Sequence, residues 1–304
     1  MSAISRAFNY LQHNPLQFVD SCVKNLGFLF PDKLYLSLRF RCQMGKWIDW
    51  KNPRSFTEKL QWLKIYDFKP EYTKMVDKYS VKDYVASIIG DKYIIPTLSV
   101  WDRVKDIDWE SLPDRFVLKT THGGGGGGVV ICSDKSTLDI PKAKEKLATS
   151  MRRNAGSVFR EKPYLKVRRR IIAERFITNS GNELKDYKFF CFDGKVRFFK
   201  VDFGRFVEHH ANYYSPDGEL LPFGEADILP DFNHIEVLPD NLNDMIVIAE
   251  KLSRGFKFLR VDLYNVLGKI YFGELTFYPA AGFGAFTPAE WNKKLGDLID
   301  LKHV

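Results

Sequence analysis

From residue 116 onward the chain alternates short apolar runs with turn residues. "FVLKTT", "VVICS", "RIIAERFI", "YKFFCF", "KVRFFKVDF", "FLRVDLYNV" and "KIYFGELTF" are rich in β-branched and aromatic residues at strand length, and they predict a strand-rich half. Two amphipathic segments, roughly 141–154 and 240–255, interrupt it at helical spacing. Before 116 the period changes. "SFTEKLQWLKIY" opens with Ser55 and Glu58 in capping-box spacing and "TKMVDKYSVKDYVASIIG" ends on Gly90, so residues 55–89 predict helices, with a short strand in "KYIIPTLSVWD". Leu16, Val19, Val23 and Leu26 repeat at helical spacing within 15–30. No internal repeat or long linker interrupts the pattern, which predicts an α+β chain with a small helical or mixed N-terminal lobe.

Composition adds a core and a sign. In 304 residues, 45% are hydrophobic and 15% aromatic, enough to bury a sizeable interior, and the net charge of +8 favours an anionic partner without naming it. Cys22, Cys42, Cys132 and Cys191 form neither a CxxC pair nor a dense framework, so they read as reduced thiols of a cytoplasmic protein rather than a zinc site. The N-terminus lacks a signal pattern, and Asp20 and Lys24 break its most apolar stretch. Arg39, Arg41, Lys46, Lys51 and Arg54 lie among Tyr35, Phe40, Trp47 and Trp50. The first expectation there is a solvated basic face packed on the core; the second is peripheral association at the inner face of the membrane through this lobe.

The six consecutive glycines of "FVLKTTHGGGGGGVVICSDK" set a sharper question, because glycine loses the most entropy on ordering. The run satisfies GxGxxG, as any hexaglycine does. A Rossmann loop leads into a helix and a Walker A loop ends in Gly-Lys-Ser/Thr, whereas these glycines lead into a second strand. What remains is a strand, loop, strand flap whose backbone N–H groups close over phosphates, with Lys119 on the entering strand and His122 at its end. A disordered hairpin is the plain alternative.

In "FLRVDLYNVLGKIYFGELTFYP", a hairpin turn at Gly268 with residue 266 facing 270 would put Asp262 opposite Glu274 and Arg260 opposite Thr276. Alternation puts all four on one face. Opposed carboxylates repel unless a cation joins them, and oxygen ligands of this kind suit Mg²⁺. Neutralisation of both carboxylates by Arg260 is the plain alternative.

Together these stretches resemble the ATP-grasp superfamily, and within it the TupA-like family of surface-polysaccharide biosynthesis, over most of the chain. Its parts occur in order: "DKYSVKDYV", "FVLKTTHGGGGGG", "IIAERFI", "DYKFFCFDGKV" and "RVDLYNVLGKIYFGELTFYP". The resemblance implies two α+β subdomains sandwiching ATP, here a lobe at 1–110, a flap-bearing small subdomain at 111–178 and a Mg²⁺-binding large subdomain at 179–304. It implies ATP contacts from Lys78, Lys119, His122, Gly123, Gly124, Gly125, Gly126, Gly127 and Gly128. Glu174, Arg175 and Ile177 would form the adenine hinge, mainly through backbone, with Asp186 beyond it. Asp262 and Glu274 would hold Mg²⁺, and Thr276 replaces the usual Asn as a poorer third ligand. Arg260, Lys188 and Lys200 would serve catalysis.

The implied reaction is carboxylate–amine ligation through an acyl phosphate, releasing ADP and phosphate. The expected acceptor is a uronic acid of a capsule, O-antigen or teichuronic-type glycan or of its lipid-linked or nucleotide-linked precursor, the nucleophile an amino acid or amine. Arg205, His209, His210, Asn212 and Tyr214 are the candidate sugar contacts; no nucleic acid is expected. A glycosyltransferase using a metal-bound nucleotide sugar is the main rival. A kinase is a weaker one, since Asp202-Phe203-Gly204 lacks a His-Arg-Asp loop.

Overall fold

The computed structural model describes residues 15–124, 127–178, 184–204 and 207–302. Helix α1 (Pro15–Asn25) packs on α2 (Asp32–Met44), which stops at a left-handed Gly45. Their core is small, Val23, Tyr35, Leu36, Phe40 and Ile48, and is pinned by buried Arg39, whose Nε donates to Asp20 at 2.8 Å. Helix α3 (Phe56–Tyr66) starts with both reciprocal bonds of the Ser55–Glu58 capping box in place. With α4 (Tyr72–Val76) and α5 (Ser80–Ile89) it leaves that lobe: Phe56, Leu60, Met75, Val81 and Val85 belong to the largest core, shared with the second sheet.

Strands β1 (Thr97–Trp101), β2 (Phe116–Thr120), β3 (Val129–Cys132) and β4 (Ile171–Arg175) form an antiparallel sheet ordered β1-β4-β2-β3. Between β3 and β4 run helices α6 (Ile140–Arg152), α7 (Ala155–Phe159) and α8 (Lys162–Leu165). Ala143 and Leu147 of α6 pack with Phe116, Leu118 and Ile171. Strand β1, which precedes residue 110, is an edge strand of this sheet, antiparallel to β4.

The rest comprises β5 (Asp186–Phe192), β6 (Lys195–Phe203), β7 (His210–Tyr214), β8 (Gly224–Glu225), α9 (Leu242–Leu252), β9 (Phe258–Val266), β10 (Lys269–Thr276), β11 (Phe286–Thr287) and α10 (Trp291–Asp297). Five strands form a second antiparallel sheet, β10-β9-β5-β6-β7, while β8 pairs with β11. Strand β7 is unforeseen in sequence, because both of its faces are buried and its polar residues mask the strand pattern.

The β9–β10 hairpin reaches the expected pairing by an unexpected route. Leu267 (φ 52°) and Gly268 (φ 81°) make a two-residue turn with both φ positive, so Val266 faces Lys269, one step from the assumed register. A bulge at Gly273 then restores Asp262 opposite Glu274 and Arg260 opposite Thr276. A Cβ on Gly273 would lie 3.0 Å from the Asp262 carbonyl oxygen, so the bulge favours glycine.

Candidate active site

Direct strand pairing fixes which side chains share a face of the large sheet. One row runs Glu274, Asp262, Lys188, Lys200, Tyr213 across all five strands, about 19 Å at the usual strand spacing. Asp186 and Asp202 lie opposite each other in the next row, Thr276 and Arg260 in the row on the other side. Three like-charged pairs therefore stand side by side, an unfavourable arrangement alone.

Each pair is resolved by a group of opposite sign. Arg260 donates to both Asp262 oxygens at 2.7 Å, and its Nη2 also reaches Glu274 Oε1 at 3.2 Å and Thr276 Oγ1 at 3.1 Å. Lys188 Nζ bonds Asp186 at 2.6 Å and also Asp202. Lys200 donates to Glu225 at 2.8 Å, and Tyr213 donates to the same carboxylate at 3.0 Å. Burial, with the charges of Asp186 and Glu274, pushes the Asp262 carboxyl upward against the pull of Arg260. Burial opposes ionisation of Glu274 too, yet Lys78 and Arg260 outweigh it and hold that carboxyl well below its usual range.

The small sheet carries the opposite motif. The buried Glu174 side chain takes Lys119 at 2.6 Å and Lys82 of α5 at 2.5 Å, an ion triad where mainly backbone contacts were expected. Arg175 already spends its N–H on the Pro96 carbonyl at 3.0 Å, and Ile177 follows in irregular chain. Lys78 joins the two sheets: its N–H donates to Thr121 O at 3.0 Å and its Nζ to Glu274 Oε2 at 2.7 Å. Burial works against this ammonium, but Glu274, Glu174 and Asp262 together keep its pKa above the ordinary lysine value.

At the base of the flap, Thr120 N–H bonds Gly128 O at 3.0 Å. Cβ atoms at Gly123 and Gly128 would fall 2.7 and 2.1 Å from Thr120 Oγ1, so close approach to the Thr120–Ser150 hydroxyl pair requires these two glycines. Gly124 has open space around it and Gly127 faces Arg153; Gly125 and Gly126 lie outside the described residues. His122 is buried with Nε2 3.2 Å from Ser150 O in the last turn of α6, and burial lowers its pKa.

Strand alternation separates the sugar-contact candidates. His210, Asn212 and Tyr214 pair with Phe203, Val201 and Phe199, on the face opposite Lys200 and Asp202. Asn212 binds the Asp231 and His234 carbonyls, each at 2.7 Å, and Tyr214 accepts from Glu236 N–H, so both brace the loop after β8 instead of facing the charged row. His210 stacks on Phe203 on that same face. His209 alone of the described four reaches the charged face, with Nε2 3.1 Å from Asp202 Oδ1; Arg205 lies outside the described residues. Lys82 and Glu225 escaped the sequence reading, which meets Asp202 only in the kinase-like tripeptide and Tyr213 only beside the sugar-contact candidates. Of the two, only Lys82 leaves a signal there, four residues after Lys78.

Among the described residues no cluster of three His, Cys, Asp or Glu could cage a metal. Asp262 and Glu274 nonetheless fit Mg²⁺, which commonly takes one or two carboxylates and completes its shell with water and substrate phosphates. The Thr276 hydroxyl is engaged with Arg260.

A search of curated proteins finds no match. Among solved structures the chain is similar to D-alanine–D-alanine ligase from Bacillus anthracis complexed with ATP (16% identity, TM-score 0.41, 74% of this chain and 63% of that one). It is also similar to D-alanine–D-alanine ligase from Helicobacter pylori (13%, 0.42, 81% and 71%). A third likeness is N5-carboxyaminoimidazole synthetase from Staphylococcus aureus complexed with ADP (16%, 0.40, 66% and 44%). The chain thus spans less than two thirds of the first and third of these proteins. A family model described as TupA-like ATPgrasp matches residues 58–300, the span holding both ion clusters, and the chain belongs to this family.

Proposed function

We propose that the protein is an ATP-dependent carboxylate–amine ligase that releases ADP and phosphate. One observation carries the reading. A single stretch of chain sends Lys78 to Glu274 on the large sheet and Lys82 to Glu174 on the small one, so the same stretch ties a cation-rich cluster to a carboxylate pair. A triphosphate matches that polarity. Its oxygens suit Lys82 and Lys119, two cations sharing one carboxylate. Mg²⁺ on Asp262 and Glu274 would supply charge neutralisation at the phosphoryl oxygens when bound.

The chain's own groups position the reactants and spread charge. An acceptor carboxylate oxygen attacks the γ-phosphorus and ADP leaves; the amine nitrogen then attacks the acyl carbon, and phosphate leaves carrying the former carboxylate oxygen. Both steps concentrate negative charge, which fixed cations stabilise without reorganising. Arg260 and Lys78 converge on the carboxylate pair, and Lys188 and Lys200 extend the cationic row toward His209. The acceptor we propose is a uronic acid of a bacterial capsule, O-antigen or teichuronic-type glycan, or of its lipid- or nucleotide-linked precursor, with an amino acid or amine as nucleophile. Family membership supports this choice. Incubation with Mg·ATP, a uronate and a panel of amines should give ADP, phosphate and an amide. Release of UDP from a UDP-sugar, with ATP untouched, would support a glycosyltransferase instead.

A further inference from the structure

The N-terminal lobe lies before residue 58, where the family match begins, and has a character of its own. Between residues 15 and 54 there are seven basic residues and three acidic ones. All three acidic groups are engaged: Asp20 by Arg39 and Lys24, Asp32 by Arg160 at 3.2 Å, and Asp49 by the N–H groups of Lys51 and Asn52. Lys33, Arg41, Lys51 and Arg54 make no ion pair among the described residues. The same lobe exposes seven large apolar side chains, chief among them Phe28 (80% exposed), Leu29 (62%) and Trp47 (58%).

These apolar groups are not the loose surface of a poorly formed lobe. The opposite side of α1 is buried through Asp20 and Val23, and Arg39 ties the two helices through Asp20 and reaches on to the Val158 carbonyl at 2.9 Å. Val19 on α1 and Leu26 just past its end stand seven residues apart, and after Gly27 the chain presents Phe28 and Leu29, both outward. An amphipathic helix that spent its apolar stripe on the core would bury these positions; here only Val23 of the spaced set is buried. A rigid platform that combines outward aromatic and aliphatic side chains with surplus lysine and arginine has the chemistry of an interface between an acidic headgroup layer and acyl chains.

We propose that this lobe docks the protein on an anionic phospholipid bilayer, with Phe28 and Leu29 entering the headgroup boundary and the unpaired cations meeting the lipid charge. No helix among the described residues is long and apolar enough to cross a membrane, so contact would be peripheral. The test does not depend on the enzymatic reading. The full chain is sedimented with vesicles of phosphatidylcholine alone and of phosphatidylcholine mixed with phosphatidylglycerol, at low and raised ionic strength. Binding should require phosphatidylglycerol and weaken with salt. Lys33→Gln and Lys51→Gln should each lower the partition coefficient about fivefold, and Phe28→Ser with Leu29→Ser about tenfold or more. Thermal stability of these variants should match the parent, since the side chains are outward. No binding to phosphatidylglycerol vesicles at low salt would overturn the proposal, as would equal binding to both vesicle types. A dimer dissolved by Phe28→Ser and Leu29→Ser, without vesicle binding, would assign the surface to a second copy of the chain.

Discussion

The two sheets solve one electrostatic problem with opposite signs. On the small sheet a single carboxylate, Glu174, lies between two ammonium groups; on the large sheet a single guanidinium, Arg260, lies between two carboxylates. One triad carries a surplus positive charge and the other a surplus negative charge. Lys78 stands between them, bonded to Glu274 and within the field of Glu174. Buried ions are costly unless paired, so the surplus on the small sheet marks where an anion would be welcomed, while on the large sheet Lys78 answers the second carboxylate through Glu274. The small sheet suits phosphate and the large sheet suits a divalent cation.

Breaking the negative triad at its centre should have the largest effect. Arg260→Ala strands the buried Asp262 carboxylate beside partly exposed Glu274, which keeps Lys78, and should cost about 3–5 kcal/mol of stability in urea titrations, along with about 10²–10³ in kcat. Removing the carboxylates should separate the two consequences. Asp262→Asn and Glu274→Gln should each cost about 10²–10³ in Mg²⁺-dependent turnover, while stability without metal holds or rises in Asp262→Asn, whose ionised form burial disfavours, and falls in Glu274→Gln, which takes the partner from Lys78. Wild-type turnover in both variants would contradict the metal assignment.

The positive triad should respond more mildly. Lys82→Ala leaves Lys119 on Glu174, so stability should fall by about 1–3 kcal/mol and the KM for ATP should rise more than kcat falls. If kcat alone collapsed, the two triads would not divide phosphate binding from metal binding. The smallest effect concerns acid. Glu274 has a depressed pKa in the fold, so its contribution is complete above the ordinary glutamate pKa and is lost as pH falls below it. Glu274→Gln should therefore flatten the acid limb of the stability profile, read as a small shift in the acid-unfolding midpoint.

The strands of both sheets apart from β7 were legible because their apolar runs are long and cleanly bounded, and the α3 cap because its two residues act locally. The hairpin shows where local reading stops. The facing of Asp262 and Glu274 emerged from an assumed turn one residue wrong and a bulge at Gly273, two errors of register that offset each other. Tertiary pairing was less accessible. Nothing local to "IIAERFI" says that Glu174 turns inward to two lysines, one of them on α5, and nothing near "EHHANYY" says that alternation sends Asn212 and Tyr214 to the far face. Glu225 reaches Lys200 only because the two-residue β8 pairs with β11, a contact too short to leave a sequence period.

Passage of a phosphoryl group to an acceptor carboxylate between these two triads would leave its mark in oxygen transfer. A uronate labelled with ¹⁸O in its carboxylate is supplied with ATP, Mg²⁺ and a panel of amino acids, and the released phosphate is followed by mass or NMR. One labelled oxygen should appear in inorganic phosphate for each amide formed, with Lys119→Ala and Arg260→Ala slowing both together. Amide formed with all of the label retained in the glycan or in water would contradict it.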